Sequence, residues 1–324
     1  MTAADGILLV ILLSLTAYLV LGGADFGGGI WDLVARGRTA AAQRTLISRS
    51  IGPVWEANHV WLILALVATF SGFPQVYELI GRGLAVPVAC ALIGIVLRGA
   101  AYVYRSYGDG AAGPDHLWGR VFAAASTITP YMLGVTAGGL ATGRLDAGAA
   151  LLTDPFAALS GGLAVVATAF LAAVYLCHDA AASAPDLVGI FRRRALGGAA
   201  LAGTLALALI PLLPSTLDSR LDRAAPFIAL SAAAGIATLV LLWHSTFRIA
   251  RGTAALAVAA ILWGWAAAQY PALIIGHLTV TSAAAPAATV RATFGVLVAG
   301  LVLLGPAVVV LFRVFGRSQE PATR

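Results

Sequence analysis

Apolar residues along this chain come in long blocks, with little of the alternation that marks half-buried strands. The blocks are separated by short clusters of Arg, Asp, Gly and Pro. A helix crossing a bilayer core needs about 20 apolar residues. By that measure nine spans are predicted, at residues 6–24, 51–71, 83–104, 119–141, 157–177, 196–213, 226–245, 254–273 and 292–314. The expectation is an all-α integral membrane protein with about nine transmembrane helices. The charge-rich stretch 179–195 divides it into an N-terminal helical half, 1–178, and a C-terminal half, 196–324, within a single membrane domain.

Composition agrees, since 60% hydrophobic and only 10% charged residues lie outside the range of soluble domains. All twenty basic residues are arginines. Fourteen of the twenty, among them Arg36, Arg192 to Arg194 and Arg248, fall in the odd-numbered connections and the C-terminal tail or at the span ends that border them. The positive-inside rule then selects an outer N-terminus and a cytoplasmic C-terminus, and reads the net charge of +6 as loop charge and not as a nucleic-acid surface. The opening MTAADGILLV has no basic segment ahead of its apolar run, so it reads as a retained span. No connection is long enough for a soluble catalytic domain, and GGADFGGG follows a membrane helix and not a strand, which excludes a phosphate loop. Cys90 and Cys177, both within apolar runs, read as packing residues.

Ionisable groups inside spans are costly and are therefore the candidates for function. GGADFGGGIWDL places Asp25 and Asp32 two helical turns apart, on one face with Gly22 and Gly29. GPVWEANHVWLI opens the second span with Trp55, Glu56, Asn58, His59 and Trp61, and Trp55, Glu56 and His59 crowd one side of that helix. Arg98, in LRGAAYVYR, is placed to neutralise a carboxylate or bind an anion, with Arg105 at the inner end of the same span. For each group a structural role stands beside the functional one. Asp32 reads equally as a helix-end residue, Glu56 as half of a buried ion pair with Arg98, and His59 as a hydrogen-bonding group. Trp55, Trp61, Trp118, Trp263, Trp265 and Tyr270 fit an interfacial aromatic belt. The five histidines, at 59, 116, 178, 244 and 277, and the one internal methionine, Met132, supply no pair stacked at helical spacing in one span, so this chain is not expected to ligate a metal or a haem.

Taken in order, GGADFGGGIWDL, RTLISRSIGPVWEANHVWLI, LRGAAYVYRS, WGRVFAAASTITPYMLGVTAGGLATG and WGWAAAQYP resemble the motifs of subunit II of the cytochrome bd quinol oxidases. The resemblance is strongest over residues 20–145. It implies two four-helix bundles plus a peripheral helix, paired in the bacterial inner membrane with a related subunit I that carries haems b and d. The implied complex oxidises quinol and reduces O2 to water, in some cases with a small single-span accessory subunit. By motif, Asp25 and Glu56 become carboxylates of a cytoplasmic proton route with Trp55 beside them and His59 in the same motif, supported by Asp32, Asn58, Trp61 and Arg98. Two departures stand out: Val103 occupies a place where the family commonly has an acid, and HDAAASAPDLVGIFRRR is unlike the usual middle segment. A secondary transporter, expected to show broken helices and matching repeat halves, and a purely structural membrane subunit are the alternatives.

Overall fold

The computed structural model describes the backbone of residues 2–51, 55–107 and 117–317, and side chains within these except at 51, 55–57, 106–107, 304–305, 307–309 and beyond 310. It is almost wholly helical. Helix α1 spans Ala3–Val34, with a π-helical turn at Tyr18–Gly22. It is followed by α2 (Ala40–Ile51), α3 (Trp55–Gly72), α4 (Pro74–Gly83), α5 (Ala85–Tyr107), α6 (Leu117–Thr142) and α7 (Pro155–Ser183). The second half holds α8 (Val188–Leu209), α9 (Leu221–Trp243), α10 (Phe247–Gln269) and α11 (Ala287–Arg317). Between α10 and α11 lies a small antiparallel hairpin of β1 (Ala272–Ile274) and β2 (Leu278–Thr279).

Local chemistry sets several of these ends. Thr2 and Asp5 form a capping box at the start of α1, and the Asp154 carboxylate accepts from the Ala157 amide to cap α7. Pro74 has no N–H to continue a helix and disfavours helical geometry before it. Phe73 accordingly leaves the helical region, and α3 and α4 meet at 115°.

Each predicted span coincides with a long helix, but not all nine meet the same standard. Among the described residues seven helical segments are long and apolar enough to cross a membrane, or eight if the bent α3–α4 pair is one crossing. The ninth predicted span falls on α11, whose apolar described part is Ala287–Leu303. The helices also run past the apolar blocks. Residues 179–195, expected as a connection, are helical except around Ala184, since α7 continues to Ser183 and a short 3-10 turn leads into α8 at Val188. Hydropathy marks only the part of a helix that lipid surrounds, whereas an arginine extends its apolar stem along the helix and keeps its charge in water. Helix α2 has no counterpart among the predicted spans because its pattern is amphipathic, with Leu46 and Ile47 buried and Thr45 and Arg49 exposed.

Helix α7 is the central wall, packing against α1, α6, α8 and α10, while α1 also meets α3 and α11. The closest approach is at Gly27 of α1, where an added Cβ would lie 2.0 Å from the Thr168 carbonyl oxygen and 2.6 Å from the Ala172 Cβ. No side chain fits between the two backbones there. By contrast a Cβ added at Gly203, on the exposed side of α8, would meet nothing within 4 Å. Gly27→Val is therefore expected to cost about 3 kcal/mol or more and to lower the yield of folded protein. Gly203→Ala should leave thermal stability in detergent unchanged or slightly raised; equal effects of the two would show that the α1–α7 contact does not govern packing.

Candidate functional site

The polar centre of the molecule is built where α1, α5 and α6 meet. Arg98 of α5 is 1% exposed and Asp25 of α1 is 4% exposed, so both charges are out of contact with solvent. Arg98 Nη2 donates to Asp25 Oδ1 at 2.5 Å and to the Asp25 carbonyl at 3.3 Å. Its Nε donates to Ser126 Oγ of α6 at 3.0 Å, and that hydroxyl in turn donates to the Phe122 carbonyl. The Phe26 and Phe122 rings lie 4.9 and 4.8 Å from the guanidinium carbon, so its flat faces rest on aromatic surface. The remaining Nη1 is buried with no hydrogen-bond partner among the described residues.

Two turns further along α1 and α5 the arrangement repeats. Arg105 donates to both carboxylate oxygens of Asp32, at 3.0 and 3.4 Å, and lies 4.9 Å from the same Phe122 ring. Each acid–arginine pair is separated by 73 residues, so α1 and α5 run in the same direction with the two pairs in register. Asp32 is thus a buried ion-pair partner, not merely a helix end.

A partly open cavity of about 130 Å³ adjoins Asp25. On α1 its wall is Leu21, Ala24, Asp25 and Gly28, and on α7 it is Ala172, Tyr175, Leu176 and Asp179. Both sets follow the i, i+3, i+4, i+7 spacing of a single helix face. Asn58 of α3, Ser50 of α2 and Arg251 of α10 complete the lining.

Among the residues singled out from sequence, Asp25 and Arg98 are joined directly, Asp32 lies beside them, and Asn58 shares the cavity with Asp25. The Asn58 amide donates, at a long 3.4 Å, to the Leu21 carbonyl within the π-helical turn. The His59 ring lies 6.2 Å from that of Tyr18 on the same turn, and Trp61 is half-buried on α3. The side chains of Trp55 and Glu56 lie outside the described residues. Val103 is 42% exposed and does not line the cavity. Sequence reading missed Ser126, the Phe26–Phe122 clamp, and the cavity groups Ser50, Tyr175, Asp179 and Arg251. Only the position of Asp179 at the end of an apolar block offered a signal. Among the described residues no three His, Cys, Asp or Glu side chains gather as metal ligands, and the described histidines lie on separate elements: His59 on α3, His178 on α7, His244 at the end of α9 and His277 in the hairpin.

Comparison with known proteins supplies an independent line. The sequence profile of the family described as Cytochrome bd terminal oxidase subunit II matches residues 5–315. The chain is 34% identical over 123 residues to Cytochrome bd ubiquinol oxidase subunit 2 of Bacillus subtilis (strain 168), a match covering 36% of this chain and 34% of that one. It is 31% identical over 129 residues to Cytochrome bd-I ubiquinol oxidase subunit 2 of Escherichia coli (strain K12), covering 40% and 33%. These matches span about a third of the length of the curated relatives. The fold matches a chain of the bd oxidase from Geobacillus thermodenitrificans with a TM-score of 0.84 at 22% identity, over 97% of this chain and 99% of that one.

A buried pair loses far more when one partner is removed than when both are replaced. Arg98→Met is expected to cost about 3–5 kcal/mol, read as a lower thermal transition of the purified protein. Asp25→Asn combined with Arg98→Met should recover part of that loss. A double variant as unstable as the sum of the two single ones would mean that the pair is not energetically coupled.

Proposed function

The chain belongs to the cytochrome bd terminal oxidase subunit II family, and from that membership we propose that it serves as subunit II of a quinol oxidase that reduces O2 to water, supporting a haem-bearing subunit I and lining a proton route from the cytoplasm. It is a multi-pass bacterial membrane protein. In this reading α1, α3 and α5 to α11 are nine crossings, with the N-terminus outside and the C-terminus in the cytoplasm. The arginine distribution supports that orientation, because the ends of α1, α5 and α7 and the starts of α8 and α10 share one arginine-rich side. The grouping of α1, α5, α6 and α7 around the ion pairs supports one four-helix bundle; α8, α9 and α10 lie beyond α7 while α3 and α11 pack on α1, which leaves five helices for a second bundle of four and one peripheral helix. Haems b and d belong to the partner and quinol is the complex's substrate; a small accessory subunit is compatible with the exposed apolar faces of α3 and α5.

The observation that carries the proton-route reading is the placing of Asp25: a buried carboxylate held by Arg98 that also lines a cavity shared with Asn58, Ser50, Tyr175, Asp179 and Arg251. Reduction of O2 consumes protons, and a proton crosses hydrocarbon only along titratable side chains and water. Asp25 supplies a fixed carboxylate at the inner third of α1, and Arg98 holds its orientation. Glu56, two residues before Asn58 on α3, is the second carboxylate, with Trp55 and His59 on the same helix. Asp32, Asn58, Trp61 and Arg98 keep these groups in place. A purely structural subunit would use the same ion pairs for packing alone, and the two readings part at neutral replacements.

Asp25→Asn and Glu56→Gln, each in the assembled complex with unchanged haem spectra, are expected to lower quinol-driven oxygen consumption about a hundredfold or more, the range of an acid–base group. Full turnover in both variants would assign these carboxylates to packing.

A further inference from the structure

The cavity that touches Asp25 does not end there. Its α7 wall continues from Ala172 two turns further, about 10 Å, to Asp179. The end of α7 turns directly into α8, whose Arg194 reaches Gln43 of α2 and the Trp31 ring of α1, so Asp179 lies beyond Asp25 toward the arginine-rich end. The Asp179 side chain is 30% exposed, so it reaches solvent while lining the interior. Arg251 of α10 stands beside it: its guanidinium lies 4.7 Å from the Tyr175 ring, its Nη1 is 3.4 Å from His178 Nδ1 and 3.9 Å from Asp179 Oδ1. His178 Nδ1 is itself 3.3 Å from that carboxylate oxygen. The mouth is therefore built from both halves of the chain, α7 from one and α10 from the other.

A cavity of about 130 Å³ has room for about four waters at the ~30 Å³ each takes in the liquid. Ordered water needs two to four polar partners, and Asp25, Asn58, Ser50, Tyr175, Asp179 and Arg251 provide them along its length. A carboxylate at each end with water between is what a proton relay requires: an acceptor facing bulk solvent, a hydrogen-bonded path, and an acceptor inside.

We propose that Asp179 is the proton-collecting group at the inner mouth of this cavity and that it feeds Asp25 through water held between α1 and α7. The inference rests on the reading of Asp25 as a proton carrier. In the step itself, the Asp179 carboxylate takes a proton from bulk water and releases it to the nearest cavity water; a proton then passes from water to water and the last gives one to the Asp25 carboxylate. No bond other than O–H is made or broken.

The test uses the assembled, fully reduced oxidase mixed with oxygen in weak buffer, with proton uptake followed by a pH-indicating dye. Asp179→Asn is expected to slow uptake about tenfold, and Asp179→Glu to restore it. Ala24→Leu, which fills the cavity with hydrocarbon and removes no charge, is expected to slow uptake to the same degree. Asp25→Asn serves as the reference. If Asp25→Asn slows uptake while either Asp179→Asn or Ala24→Leu leaves it unchanged, protons reach Asp25 by another path and the proposal falls while the role of Asp25 stands. If all three leave uptake unchanged, the role of Asp25 falls with it.

Discussion

Everything at the centre of this protein depends on burying the charges of Arg98 and Asp25. Taking two such ions out of water costs several kcal/mol each, and their attraction offsets that cost only when geometry is good and the remaining donors are met. Here Ser126 accepts from one nitrogen, the Asp25 carbonyl and carboxylate accept from another, and two phenyl rings cover the faces of the guanidinium, while the third nitrogen, Nη1, has no partner among the described residues. These contacts come from three helices, so the pair holds its shape only if α1, α5 and α6 keep their positions. The absence of side chains at Gly27 and Gly29, where an added Cβ would meet Thr168 and Ser126, is the packing side of the same constraint.

From that centre the polar interior extends in one direction. The outer surfaces of α3 and α5 carry Ile63, Phe70, Ile93 and Val96 in the open, while the groups able to hold water face inward between α1 and α7. Helix α2, tied by the Arg44 contact to the Ala35 carbonyl and by Gln43 accepting from Arg194, covers the arginine-rich end. Arg194 is in turn set between Trp31 and Phe191. The stretch that joins the two halves is thus part of the wall around the polar site as well as a link between helices.

How much of this was legible beforehand follows from what each signal measures. Block hydropathy located the helices because lipid selects apolar composition over a fixed length, and intramembrane charge located Asp25, Asp32 and Arg98 because lipid penalises it. The motif order pointed to the family. Neither signal shows which acid meets which arginine, since that depends on how helices distant in sequence are set side by side; Asp25 is bonded to a residue 73 positions away. The break at Phe73, the amphipathic α2 and the helical reading of 179–195 were hidden because each has polar or mixed composition. Ser126 and Ser50 were hidden for a simpler reason: an isolated serine in an apolar helix ordinarily bonds its own backbone, and only the fold shows what else it touches.

The equal spacing of the two ion pairs has a consequence for how the helices can move. Because both acids sit seven residues apart on α1 and both arginines seven apart on α5, the pairs act as a two-pin key. A slide of one turn unseats both pins together. A slide of two turns would seat one pin in the wrong hole and strand a charge at each end, so only one alignment satisfies all four residues. Motions that open or close the interior must therefore come from helices outside this key, such as α10, leaving α1 and α5 as the fixed rail beside which they shift.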